Sequence, residues 1–283
     1  MINNYIKEQL DKNNVNTIDS LKNIIREEAQ KIILYSLSKT NFFSHAAFYG
    51  GTCLRLFHNL DRFSEDLDFA VTEDNANIEL NNYANMCVKH LESYGFQAAV
   101  GTKDSYDSGE IRRRYFKIPV YDITKEYLNI ETNKELLVSI KIEVSTIFIP
   151  NAKLENKLLV SPLFASIRCY DYPTLFSGKL NALLSRTWRQ REKGRDYYDY
   201  MFYLSHSVKF NMEYLKSKLK VSLGSDYESI GIEDVRKMVR KRIEETDFTS
   251  VRKDLEPFIL NREALESISK ELFIGSVDHL ECE

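Results

Sequence analysis

Residues 136–148, LLVSIKIEVSTIF, alternate apolar and polar side chains in the clearest strand pattern of the chain. Successive side chains of a strand point to opposite faces, so Ile140, Ile142 and Val144 are predicted to face a core, with Lys141, Glu143 and Ser145 opposite. Shorter strands are expected at AAFY (46–49), LDFAV (67–71), near 95–101 and over 111–121. Apolar residues at helical spacing predict helices over 16–38, 52–59 and 75–94. A loop rich in Pro, Asn and Ser follows (150–173), and the pattern beyond it is helical over 174–190, 195–206, 210–219, 232–245 and 261–272. All strands are thus expected within roughly the first 150 residues. The fold class is α+β, with an α/β domain at 1–155 built on a mixed sheet with flanking helices and a helical domain at 156–283.

The length of 283 residues allows a sizeable core, and 43% hydrophobic with 12% aromatic residues argues against disorder. No apolar run is long enough to span a bilayer, and the polar opening MINNYIKEQLDKNN predicts no secretory leader, so a cytoplasmic protein is expected. Cys53, Cys87, Cys169 and Cys282 form no CxxC pair and read as free thiols. The five histidines lack HxxxH or HxxE spacing, which argues against catalytic zinc; His58 and His206 lie in apolar helical patterns and read as packing residues. A net charge of −3 does not by itself mark a nucleic-acid binder.

Chemistry concentrates first in FYGGTCLRLFHNLDRFSEDLDFAV (48–71). Asp66 and Asp68, one residue apart on an extended segment, share a face. Taken alone the pair reads as a solvated acidic turn; with further oxygen ligands it suits a hard cation such as Mg²⁺. Gly50-Gly51-Thr52 leads into a helix whose backbone N–H groups can hold a phosphate. Glu143, in the strongest strand, offers a third carboxylate. Two-ion phosphoryl or nucleotidyl transfer needs a phosphate cradle with three such ligands. In these residues the sequence resembles the DNA polymerase β-like nucleotidyltransferase superfamily.

A second block, LFSGKLNALLSRTWRQREKGRDYYDYMFYL (175–204), is not a Walker A loop, since Pro173 and Leu180 stand where that motif needs Gly and Ser or Thr. Lys179, Leu183 and Arg186 recur at helical spacing, Arg195-Asp196 opens the next helix, and Asp199 lies one turn on. Residues 179–195 carry six basic side chains against one acid. Such a run reads as a solvated face or, beside an acidic metal site, as a surface for nucleotide or RNA phosphates. Arg112-Arg113-Arg114 and RKMVRKR (236–242) invite the same two readings.

RFSEDLDF, SIKIEV, LFSGKLNALLSR and GRDYYDYMFYL, in that order, resemble the AbiEii/AbiGii family of nucleotidyltransferase toxins over about residues 20–260. The resemblance implies a nucleotidyltransferase fold and an Mg²⁺-dependent enzyme that moves NMP from an NTP to an acceptor hydroxyl, expected to be the 3′ end of tRNA. It also implies a DNA-binding helix-turn-helix antitoxin encoded nearby, without a stable protein–protein complex, and a link to abortive infection. Carried over, Asp66, Asp68, Lys179 and Asp196 are the catalytic residues, and Asp66, Asp68 and Glu143 hold metal, Glu143 by the wider superfamily pattern. Gly50, Gly51, Thr52, Arg62, Ser64, Arg186, Arg195 and Asp199 bind substrate, with Thr52 on the triphosphate where many relatives have Ser. Two alternatives remain open: transfer to a protein or small-molecule acceptor, or a catalytically silent nucleotide-binding interaction module.

Overall fold

The computed structural model describes residues 2–74, 78–186, 192–224, 227–259 and 265–283, and over 102–108 the backbone alone. The chain forms two compact units. Unit 1 comprises Met1–Cys53, Phe63–Phe148 and Asn156–Cys169; unit 2 comprises Leu54–Arg62, Ile149–Glu155 and Tyr170–Glu283.

In unit 1, α1 (Asn4–Lys12), α2 (Ile18–Ser38) and a single turn α3 (Phe42–His45) precede β1 (Ala46–Tyr49). Helix α4 (Gly50–Phe57) starts in unit 1 and ends in unit 2. β2 (Leu67–Val71), α5 (Leu80–Ser93), β3 (Ala99–Ser108), β4 (Ile111–Pro119), α6 (Tyr121–Leu128), β5 (Leu137–Ser145), β6 (Leu154–Leu159) and β7 (Ala165–Tyr170) follow. The strands make one mixed seven-stranded sheet in the order β3-β4-β5-β2-β1-β7-β6. β2 lies parallel to β5 and antiparallel to β1, with Asp68 beside Glu143 and Tyr49.

The alternation in β5 fixes which face is buried. Val138, Ile140, Ile142 and Val144 are fully buried, while Lys141, Glu143 and Ser145 are half-buried on the other side. Helix α2 supplies buried Ile25, Ala29, Ile32 and Ile33, and Phe42 packs edge-on against Phe69 of β2, with ring centroids 4.9 Å apart. Each of these isoleucine and phenylalanine side chains contributes about 1.5–3 kcal/mol on leaving water. Thr17 caps α2 through a reciprocal bond with Ser20, which sets where the helix starts.

Unit 2 holds α7 (Tyr172–Ser185), α8 (Gly194–Ser205), α9 (Met212–Leu223), α10 (Ile232–Glu244), α11 (Phe248–Leu255) and α12 (Lys270–Ser276). Asp171 caps α7 by accepting the Thr174 N–H, with Pro173 in the first turn. The core is aromatic: Tyr197, Tyr200, Tyr203, Tyr214, Phe176 and Phe273 are buried, and the tyrosine hydroxyls find partners, as Tyr197 does in Thr246 at 2.5 Å.

The fold is α+β as the sequence indicates, but the strands do not end at residue 150. β6 and β7 occupy the segment expected to be loop, and 156–169 joins the sheet unit, whereas 54–62 and 149–155 belong to unit 2. This division differs from a single cut after residue 155. β6 reads LENKLL, with Leu158 61% exposed, so an edge strand here lacks the inward–outward alternation that marks β5. Helices α1, α6 and α11 also lie outside the expected set. The helix expected over 174–190 ends at Ser185, with 187–190 outside the described residues; the one expected over 75–94 begins at Leu80, and the last is broken, with 265–266 helical and a further helix from Lys270, while 75–77 and 261–264 likewise lie outside the described residues.

Candidate active site

Three neighbouring strands of unit 1 line up one polar face. Asp68 of β2 is the register partner of Glu143 in β5, and Glu143 is the partner of Arg113 in β4. Asp66 precedes β2 by one residue and sits two before Asp68, on the same face. Its position is held from behind: the Thr52 hydroxyl donates to the Asp66 carbonyl, and Gln30 Nε2 donates to the carbonyls of Ser64 at 3.1 Å and Glu65 at 3.0 Å. Glu65 itself turns toward Arg26.

Gly50 shows why the turn needs glycine. Its φ is +82°, and a Cβ placed there would lie 2.5 Å from Asp68 Oδ2. The turn and the carboxylate therefore occupy space that a side chain would fill. Thr52, expected on the triphosphate, is fully buried, and its hydroxyl donates to the Asp66 carbonyl. What it supports is the acidic segment.

Electrostatics around the face are set by two cations, Lys141 and Arg113, to which sequence reading assigned no role beside these acids. Lys141 Nζ lies 3.1 Å from Asp66 Oδ2 and 3.3 Å from Glu143 Oε2. Arg113 grips the same Glu143 oxygen through Nε at 2.8 Å and a terminal nitrogen at 2.6 Å. Burial pushes the Glu143 carboxyl up, but Lys141 and Arg113 outweigh it and hold the group below the usual carboxylate range. Burial likewise lowers the Lys141 ammonium, and Asp66 and Glu143 more than reverse that. Lys141 was legible as a neighbour on the polar side of β5, and Gln30 as an amide on the apolar face of α2.

These residues fit a divalent ion. They are hard oxygen donors, and two of them already converge on one positive centre. Among the described residues, however, no three acid, histidine or cysteine side chains form a ready-made metal cluster. Glu143 is already neutralised by Arg113 and Lys141, which sets it apart from Asp68 beside the glycine turn.

Unit 2 builds a separate cluster between α7, α8 and the 54–62 segment. Lys179 Nζ bridges Asp196 Oδ1 at 2.7 Å and Asp199 Oδ2 at 2.8 Å. Arg186, capping α7, reaches Asp196 Oδ2 at 2.6 Å. Arg62 forks onto both oxygens of Asp199, each at 2.6 Å. Burial raises both carboxyls, but the surrounding cations hold them below their ordinary values. Arg62, expected as a phosphate contact, has its guanidinium buried and doubly bonded to Asp199, which fixes the 54–62 segment on α8. Lys193, not singled out from the sequence, is pushed down to about 8 by burial and by Arg186.

Other predicted contacts fall elsewhere. Arg195 stacks on Phe258, 4.1 Å from the ring centroid. Arg114 is buried on Asn81, so 112–114 is no shared basic surface. In 236–242, Arg236 caps the Asp278 and Leu280 carbonyls, Arg240 pairs with Asp278, and Arg242 pairs with Glu192. His58 stacks on Tyr172 and His206 packs against Phe202. The cysteines are free. Arg189 and Arg191 of the basic run lie outside the described residues. No helix among the described residues is long and apolar enough to cross a membrane.

A mixed sheet carrying a glycine turn and a DxD face, followed by a helical unit with a Lys/RDxxD cluster, defines a protein of the nucleotidyltransferase class. Residues 32–269 match the family described as nucleotidyl transferase AbiEii toxin, type IV TA system, and the chain belongs to that family of nucleotidyltransferase toxins. The family implies an NTP substrate and an antitoxin partner. No curated protein is similar enough to count as a match. Among solved structures, MenT4, a nucleotidyltransferase toxin of Mycobacterium tuberculosis, is 15% identical with a TM-score of 0.55, covering 98% of this chain and 89% of its own. A putative nucleotidyltransferase of Helicobacter pylori is 17% identical with a TM-score of 0.51, covering 90% of each chain. JHP933, also from H. pylori, is 17% identical with a TM-score of 0.50 over 90% and 88%. At these identities the likeness is one of fold.

Proposed function

We propose that this toxin transfers NMP from an NTP to the 3′ end of tRNA in the cytoplasm, in an Mg²⁺-dependent reaction centred on Asp66 and Asp68. The supporting observation is the acidic face itself, where Asp66, Asp68 and Glu143 lie together beside a turn that only glycine fits. The acceptor hydroxyl oxygen attacks the α-phosphorus, the bond to the β-phosphate breaks, pyrophosphate leaves, and the hydroxyl proton passes to the carboxylate face. Mg²⁺ held by Asp66 and Asp68, with Glu143 as third ligand, supplies charge neutralisation and a more acidic acceptor hydroxyl. Gly50 and Gly51 offer backbone N–H groups to phosphate. Lys179 and Arg186, oriented by Asp196 and Asp199, form an anion-binding cluster suited to phosphate groups of nucleotide or RNA. We assign the antitoxin to a helix-turn-helix protein encoded nearby that forms no stable complex with the toxin, in a system that aborts phage infection.

The test incubates purified protein, Mg²⁺ and total tRNA with each α-³²P-labelled NTP in turn. Label is expected in tRNA, with Asp66→Asn lowering the rate by about 10²-fold or more. Label removed by protease and not by RNase would move the acceptor to protein. An absence of label in any macromolecule would overturn the enzymatic reading.

A further inference from the structure

The cation that the carboxylate face holds is the chain's own. Lys141 sits two residues before Glu143 on β5, and its ammonium is within 3.3 Å of both Asp66 Oδ2 and Glu143 Oε2. It cannot diffuse away, because the strand that positions Glu143 also tethers it. A divalent ion on those oxygens and an ammonium on the same oxygens are like charges in one place, and each disfavours the other. We infer that Lys141 is a built-in competitor for the divalent metal, a positioning residue whose ammonium must leave Asp66 and Glu143 before the ion is held there.

Two features support this assignment over a plain ion pair. The stem of lysine is four flexible carbons ending in a point charge, so the ammonium can swing aside where a forked guanidinium would stay. Arg113 holds Glu143 independently, so Glu143 stays in place without Lys141. Removing the lysine charge therefore leaves the acidic face assembled and takes away only the competitor. The ion then binds the free protein weakly, and a polyphosphate that offers the ammonium another partner helps the metal in.

This inference rests on the reading of Asp66 as a metal ligand, so the experiment separates the two. Binding of Mn²⁺ alone to the full-length protein is followed by electron paramagnetic resonance for wild type, Lys141→Met, Lys141→Arg and Asp66→Asn. Lys141→Met is expected to bind Mn²⁺ about tenfold more tightly than wild type. Lys141→Arg, which keeps the charge, stays as weak as wild type or becomes weaker. Equal or weaker binding by a Lys141→Met protein with an unchanged melting curve would overturn the competitor and leave the metal site standing. Binding undiminished in Asp66→Asn, or undetectable in every variant, would overturn the metal reading and the inference with it. Where Lys141→Met melts below the assay temperature, Lys141→Gln is read in its place.

Discussion

Asp199 and Arg62 meet in a pair with 0% and 3% of their side chains exposed. Removing one partner of such a pair strands a buried charge, which costs about 3–5 kcal/mol. Asp199→Asn is therefore expected to lower unfolding free energy by that order in a denaturant titration. The pair also sets a pH response. Asp196 and Asp199 titrate below the ordinary 3.8 when folded, so the unfolded chain binds protons first as acid is added. Their contribution is full above about pH 5 and fades as pH falls through the unfolded value toward the lower folded ones. Wild type should lose stability steeply in that window, and Asp199→Asn less steeply. Lys193, titrating at about 8, populates free amine near neutrality, so it should acylate faster than ordinary lysines when peptides are mapped by mass spectrometry at about pH 8. At this scale the sequence exposed the residue types but not their partners. Asp66 and Asp68 were readable from spacing, because a period of two puts them on one face. Glu143 stood out only as an acid in the strongest strand and comes beside Asp68 through the β2–β5 register. That Thr52 turns inward and Arg62 spends its fork on Asp199, 137 residues away, is decided by tertiary packing that no local window contains.

Two glycines separate a backbone requirement from an incidental one. Gly50→Ala forces a Cβ against Asp68 and a strained positive φ, so it should lose most transfer activity and about 1–3 kcal/mol of stability. Gly178 lies inside α7 with open space where a Cβ would go. Gly178→Ala should raise stability by about 0.5–1 kcal/mol, read from a thermal or denaturant midpoint. Helix α7 and strand β5 were legible because each keeps one period over several turns or pleats. β6 and β7 were not, because an edge hairpin with Leu158, Val160 and Phe164 facing outward breaks that period, and Pro162 between the strands reads as loop.

The whole molecule does not divide where its composition changes. β1 lies between β2 and β7, so a chain ending at 155 keeps β1 paired with β2 but lacks β7 and most of β6. Such a fragment also carries 54–62 and 149–155 without the rest of unit 2. Residues 1–155 expressed alone should give no cooperative unfolding transition by circular dichroism, whereas the full chain should. The α+β class was legible from the switch in period along the chain; the interleaving was not, because neither β7 nor the Arg62 ion pair has a local signature.

The ion pair between Arg62 and Asp199 also bears on how the protein is made. A ribosome delivers the arginine 137 residues before its counter-ion, so over that stretch of synthesis the nascent chain must keep the guanidinium in water. The 54–62 segment can seat on α8 only after Asp199 has been made, which delays completion of the ion-pair cluster around Lys179. A message truncated before Asp199 yields a chain without this ion-pair cluster, and the cell that makes the toxin meets the finished cluster only once α8 has been translated.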